Sequence, residues 1–117
     1  MRHRKEGKIL HREKAAREAL IRDLATNLIL NETIQTTQAK AKLLRPYAEG
    51  CVTHARAGTL AGRRWLHRFL RTEKAVNKLI GTIAPRYTRR TSGFLRIVAA
   101  GRRRGDGAEM AVIQFVE

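Results

Sequence analysis

Acidic residues are scarce in this chain. Ten Asp and Glu stand against 25 Lys and Arg over 117 residues, a formal net charge of +15. Such an excess repels itself in a compact state unless a polyanion neutralises it. The few acids are scattered, most of them beside bases on helical faces, and offer no carboxylate pair for general acid–base work. Cysteine occurs once, at Cys51. No internal disulfide is possible, and a reducing cytoplasm is the expected compartment. No apolar run approaches the length of a membrane span, so nucleic acid is the expected polyanion rather than a membrane. The charged start is not followed by an apolar stretch, so no signal peptide is expected. Aromatics are few, with one Trp, two Tyr and three Phe. Base stacking is therefore not expected as the main mode of binding. A Gly-rich phosphate loop, an activated nucleophile and an RNA-recognition sheet with paired aromatics are all missing.

What is present is basic and clustered. Residues 1–14 hold six Lys or Arg, two His and two Glu, and only Ile9 and Leu10 could reach a core. This segment cannot bury enough apolar surface to offset the entropy of ordering it. An arm over 1–12 is expected to order on a phosphate backbone through Arg2, His3, Arg4, Lys5, Lys8 and Arg12, with Lys14 just beyond. Seven Arg and no acid lie between residues 86 and 104. Arg86, Arg89, Arg90 and Arg96 form one group, and Arg102, Arg103 and Arg104 form a second at an expected hairpin tip. Guanidinium forks suit phosphate. Three like charges in a tight loop repel unless a polyanion accepts them, and only Asp106 is near in sequence. Lys40, Lys42 and Arg45 open an expected helix, where cations oppose the macrodipole and a bound phosphate would reverse that cost. A plain solvated helical face explains those three equally well. Solvated loops are the corresponding alternative for the Arg groups.

The rest, residues 13–117, reads as a single α+β domain. Ala16, Leu20, Leu24 and Leu28 repeat every four residues, with Ile21, Ala25 and Ile29 widening the stripe, so a helix is predicted from about Arg12 to Leu30. Asn31 is the expected cap. Thr33–Thr37 reads as a strand, and Thr37 as the cap of a helix running from Gln38 to about Ala57 through Pro46. Gly58 ends it. Thr59 and Thr72 precede two shorter helical patterns, and Pro85 is expected to close the helical region. Phe94–Ala100 and Glu109–Val116 alternate as strands around a Gly-rich turn. The predicted architecture is a helical layer of about four helices on a small mixed three-stranded sheet. Cys51 and His54 have half the spacing of a zinc site, but a buried core thiol fits better. Trp65 fits core periodicity better than a stacking platform. No metal and no cofactor are expected.

Several blocks carry a resemblance. Met1-Arg-His-Arg-Lys-x-Gly7 with Leu10-x-Arg12, then Ile34-Gln-Thr-Thr-Gln-Ala-Lys40-Ala-Lys42 with Arg45 and Glu49, resemble the family of the seventeenth protein of the bacterial large ribosomal subunit. Ala84-Pro-Arg-Tyr87, Gly93-Phe-x-Arg96-Ile97 and Arg103-Arg-Gly-Asp-Gly107 are similar too, so the whole chain is covered. Leu43 stands where the family often has an acid, and Phe94 where it often has Tyr. The resemblance implies a structural ribosomal protein without catalysis. It also implies binding to large-subunit ribosomal RNA on the solvent side near the mouth of the exit tunnel, among other large-subunit proteins. The reading from charge alone reaches only a polyanion-binding α+β domain. A DNA-binding or nucleoid-associated protein is the rival, and a small nuclease using His3 or His11 a distant third.

Overall fold

The computed structural model describes residues 13–117. The arm expectations for Arg2, His3, Arg4, Lys5, Lys8 and Arg12 lie outside the described residues. Helix α1 runs Lys14–Asn31 and ends at Glu32, which holds a left-handed backbone (φ 66°) and returns its N–H to the Leu28 carbonyl at 2.6 Å. The cap expected at Asn31 is therefore one residue later. Glu32 keeps this conformation with its carboxylate against Lys78 and Arg86. The buried stripe of α1 is Ile21, Ala25, Leu28 and Ile29. Leu20 and Leu24 flank it half-buried and Ala16 is exposed, so the face is rotated toward the second set of periodic residues.

Strand β1 (Thr33–Thr37) leads without a gap into α2 (Gln38–Ala57). Thr37 is the joint, its hydroxyl accepting from the Lys40 N–H at 3.3 Å. Helix α2 passes through Pro46 unbroken and stops at Gly58 (φ 67°). Thr59 caps α3 (Leu60–Phe69) and Thr72 caps α4 (Glu73–Lys78) in the same way, onto Gly62 and Ala75. Gly62 is required where it stands, because a Cβ there would lie 2.8 Å from the His54 carbonyl oxygen of α2. Helix α4 widens into a π-helical turn, Leu79–Ile83, and then tightens into a 3-10 turn, Ala84–Tyr87. Pro85 thus opens a last turn instead of closing the helical region. At the start of a turn its missing N–H costs nothing.

Strands β2 (Leu95–Arg102) and β3 (Glu109–Phe115) form the hairpin, and the sheet order is β1-β3-β2. Both pairings are antiparallel, so the sheet is not mixed as expected. The helices bring the chain to β2, which runs parallel to β1 at the other edge, and the hairpin turns β3 back between them, so both neighbours of β3 are antiparallel. Ala111, Ile113 and Phe115 of the central strand point into the core, facing α2 residues such as Leu44, Ala48 and Val52 in one apolar cluster. Among the described residues the opposite sheet face carries no helical layer, and Val98 on it is 48% exposed.

Polar groups inside are mostly paired. The buried Thr26 hydroxyl donates to Arg22 O (2.8 Å) and accepts from the Arg71 N–H (3.0 Å), tying α1 to the α3–α4 corner. Tyr87, buried against Phe94, donates its hydroxyl to the Val116 carbonyl. Glu49 of α2 accepts from the Phe94 and Leu95 N–H groups at 3.3 and 3.1 Å, pinning the start of β2.

Cys51 is fully buried in α2, and burial pushes its thiol up to about 12. His54 stacks on Trp65. Among the described residues no cluster of three or more His, Cys, Asp or Glu could hold a metal. A thiol reagent at pH 8 should therefore label Cys51 only as fast as the protein unfolds, since the thiolate is the nucleophile. Rapid stoichiometric labelling of folded protein, or stoichiometric zinc after purification, would contradict this placement.

Candidate nucleic-acid interface

Among the described residues, the cationic side chains expected from the sequence lie on or near the outside of the body, and the fold brings some of them together. The first turn of α2 and the hairpin, some sixty residues apart in sequence, meet. Thr37, Gln38 and Lys42 line one concavity with Ala108 and Glu109. Gln38 lines the neighbouring one with Gly101, Arg102 and Met110. Lys42 and Arg102 thus belong to one side of the molecule, with Arg103 and Arg104 following Arg102 in the hairpin turn. Lys40 is half-buried in the same turn. The geometry comes from Thr37: because it is both the last residue of β1 and the cap of α2, the helix begins where the sheet ends.

The other Arg group sits elsewhere. Arg86 binds the Glu32 carboxylate. Arg90 donates to the Gly93 carbonyl at 3.1 Å, and Arg89 is exposed between them. Arg45 reaches the Leu95 carbonyl at 3.4 Å. Arg96 stands opposite Gln114 on the sheet face away from the helices, its guanidinium beside the Gln114 side-chain amide, whose oxygen would accept from it once the amide is turned. Lys14 is exposed at the first turn of α1. The cations are therefore spread round the body in separate groups instead of lining a single groove.

The hairpin tip is calmer than the sequence suggested. Arg103 grips Asp106 through two hydrogen bonds, and Arg102 reaches Glu109 at 3.2 Å. The repulsion expected among Arg102, Arg103 and Arg104 is relieved within the loop, because the turn folds Asp106 back on Arg103. Only Arg104 has no acidic partner among the described residues. The Arg103 guanidinium, helped by the Ala108 N–H, holds the Asp106 carboxyl down to about 2. A depressed carboxyl favours the folded hairpin above the ordinary carboxylate range, and that preference fades as pH falls toward 2. Phosphate arriving at Arg103 competes with Asp106 and should raise the carboxyl toward its ordinary value. Carboxyl titration by NMR, with and without a bound RNA, reads this directly. An Asp106 that titrates identically in both states would show that Arg103 stays within the hairpin.

Sequence reasoning overlooked the α3 face. Arg63, Arg64 and Arg68 are exposed there, without acidic partners among the described residues. Arg22 crosses from α1 to donate to the Phe69 and Arg68 carbonyls at 2.8 and 2.6 Å, closing the C-terminus of α3. Trp65 is half-buried and stacked between His54 and Phe69, not sealed in the core. The signal was available: residues 65 and 69 are one helical turn apart, and so are 64 and 68.

Fold and surface together define a small, basic α+β protein whose described cations lie on or near its outside. The chain belongs to the ribosomal protein L17 family, whose model matches residues 20–116. It is similar to the large ribosomal subunit protein bL17 of Halalkalibacterium halodurans, 49% identical over 115 residues, covering 92% of this chain and 96% of that one. It is 46% identical over 116 residues to the bL17 of Gemmatimonas aurantiaca, covering 99% and 98% of the two chains. Against the bL17 of Pelobacter propionicus the identity is 44% over the full 117 residues, with 92% of that chain covered. The family is one of structural ribosomal components, and membership sets aside the enzyme reading.

Proposed function

We propose that this protein is a structural constituent of the large ribosomal subunit that binds ribosomal RNA and ties separate RNA segments together. The observation that carries this reading is the scatter of cations. Lys42 with the hairpin arginines, the Arg86–Arg90 loop and the exposed α3 arginines occupy separate parts of one small body. One groove would hold one duplex; several separated groups suit several strands. Phosphate contacts position such a protein, and RNA shape supplies the recognition. The relatives are named for the large subunit, which favours ribosomal RNA over DNA as the polyanion. The site residues are the arm cations Arg2, Arg4, Lys5, Lys8 and Arg12 with His3, then Lys14, the α2 turn and the Arg groups. A position on the solvent side near the exit-tunnel mouth, beside other large-subunit proteins in the cytoplasm, follows from the family resemblance.

The test is assembly. Tagged protein should co-sediment with large subunits in a sucrose gradient and resist a wash in moderate salt. A photoreactive side chain at position 104 should crosslink to large-subunit RNA. Crosslinks to the chromosome with none to RNA would support the DNA-binding reading instead.

A further inference from the structure

Helices α1, α2 and α3 enclose a concavity of about 250 Å³ whose walls include Glu18, Arg22, Tyr47, Trp65 and Phe69. Its aromatic wall is continuous. His54, Trp65, Phe69 and Tyr47 follow one another as near-parallel rings, with centroid spacings of 4.3, 4.9 and 6.1 Å and planes within 20° of their neighbours. Tyr47 at the end of the row is 43% exposed. Six aromatic residues serve the whole chain, and three of them line this one surface groove.

We propose that this groove seats one unpaired guanine nucleotide of RNA, with its base against the Tyr47 end of the aromatic row and its phosphates on Arg68 and Arg64 of α3. Trp65 and Phe69 each lie between two ring neighbours, so a planar base adds to the row at its exposed Tyr47 end, where stacking is indifferent to sequence. The surroundings select the kind of planar ligand. Arg63, Arg64 and Arg68 are exposed on the same helix as Trp65 and Phe69, and no acid among the described residues neutralises them. They favour an anionic ligand and set two copies of this chain against each other. Glu18 is the one acid on the rim. A carboxylate accepts two hydrogen bonds side by side, and the Watson–Crick edge of guanine presents two adjacent N–H donors. Uracil offers a single N–H on that edge. Arg22 is already bonded to the Phe69 and Arg68 carbonyls and holds the α1 wall against α3, so the groove exists before a ligand arrives.

The inference rests on the RNA-binding reading, and the experiment separates the two. Trp65 is the sole tryptophan, so its emission reports on the groove alone. The full chain is titrated with a short single-stranded RNA containing guanine, with its all-uridine counterpart, and with an abasic strand of equal length and charge. Binding of a large-subunit RNA transcript is measured in parallel by filter retention. The guanine strand should quench Trp65 saturably. The abasic strand should bind about tenfold more weakly without quenching, as expected for the loss of one stacked base. Tyr47→Ser, at an exposed position, should cost about the same factor. Glu18→Ala should erase the preference for guanine over uridine. If the transcript binds while guanine and abasic strands bind alike with unchanged emission, the groove is not a base site, though RNA binding stands. If no RNA binds at all, both readings fall. If emission changes only when other large-subunit proteins are added, the occupant is a protein and the proposal is overturned.

Discussion

Deleting residues 1–12 should weaken binding to large-subunit RNA by about a hundredfold or more at near-physiological salt, and should flatten its salt dependence. The segment carries Arg2, Arg4, Lys5, Lys8 and Arg12 with almost no apolar surface. Every phosphate that the shortened chain no longer neutralises takes roughly 0.7–0.9 off the slope of log affinity against log salt. The body should remain folded, because among the described residues the buried cluster begins at Ile21 and the α1 stripe is intact from there. Salt titrations of the full and truncated chains, with circular dichroism of both, give the answer. An unchanged slope would mean that the arm touches no phosphate. A collapsed spectrum would mean that the arm belongs to the body.

The largest loss of stability from a single polar change should come from Glu49→Ala. The Glu49 carboxylate satisfies the N–H groups of both Phe94 and Leu95, residues that are 1% and 2% exposed. Alanine leaves two buried donors without a partner, and each unpaired group costs about 1–3 kcal/mol. A net loss of about 2–3 kcal/mol should lower the melting temperature by roughly 10 °C in a domain of this size. Glu49→Gln keeps an acceptor in place and should lose less. Equal melting of Glu49→Ala and the parent would show that the β2 start is held by packing alone. The damage should reach the surface too, since the Arg86–Arg90 loop joins the helical body to β2 at this point.

Glu49 also shows where reading the sequence runs out. Its family block could be recognised, yet nothing in a helical acid announces two backbone donors 45 and 46 residues away. Local features were legible because their causes are local. The three threonines cap the helices they precede, Gly58 ends α2, and the strand at Thr33–Thr37 has its expected bounds. The errors arose where distant partners decide. Glu32 takes the left-handed cap because Arg86 and Lys78 hold its carboxylate, which displaces the cap from Asn31. Arg102 and Arg103 are the exception: their partners are local, but only the shape of the turn folds Asp106 onto Arg103 and sets Glu109 across from Arg102. Trp65 has core spacing, but the α3 surface it packs on is shallow, so periodicity placed it too deep. The α2 first turn and the hairpin stand where the sequence put them, while the meeting of the two needed the sheet order.

The sheet order has a further consequence. Strand β2 lies at the margin of the sheet, and its central residues, Ile97-Val98-Ala99-Ala100-Gly101, bear no charge and no proline. Such a margin offers unpaired backbone groups to any passing strand. Arg96 and Arg102 bracket it, and two copies approaching in antiparallel fashion would bring these guanidinium groups together. The same arginines that suit an RNA partner thus act as gatekeepers against self-assembly while the chain waits for one. Neutralising them would remove the guard, so a charge-reduced form of this protein should precipitate through β2 long before its core melts.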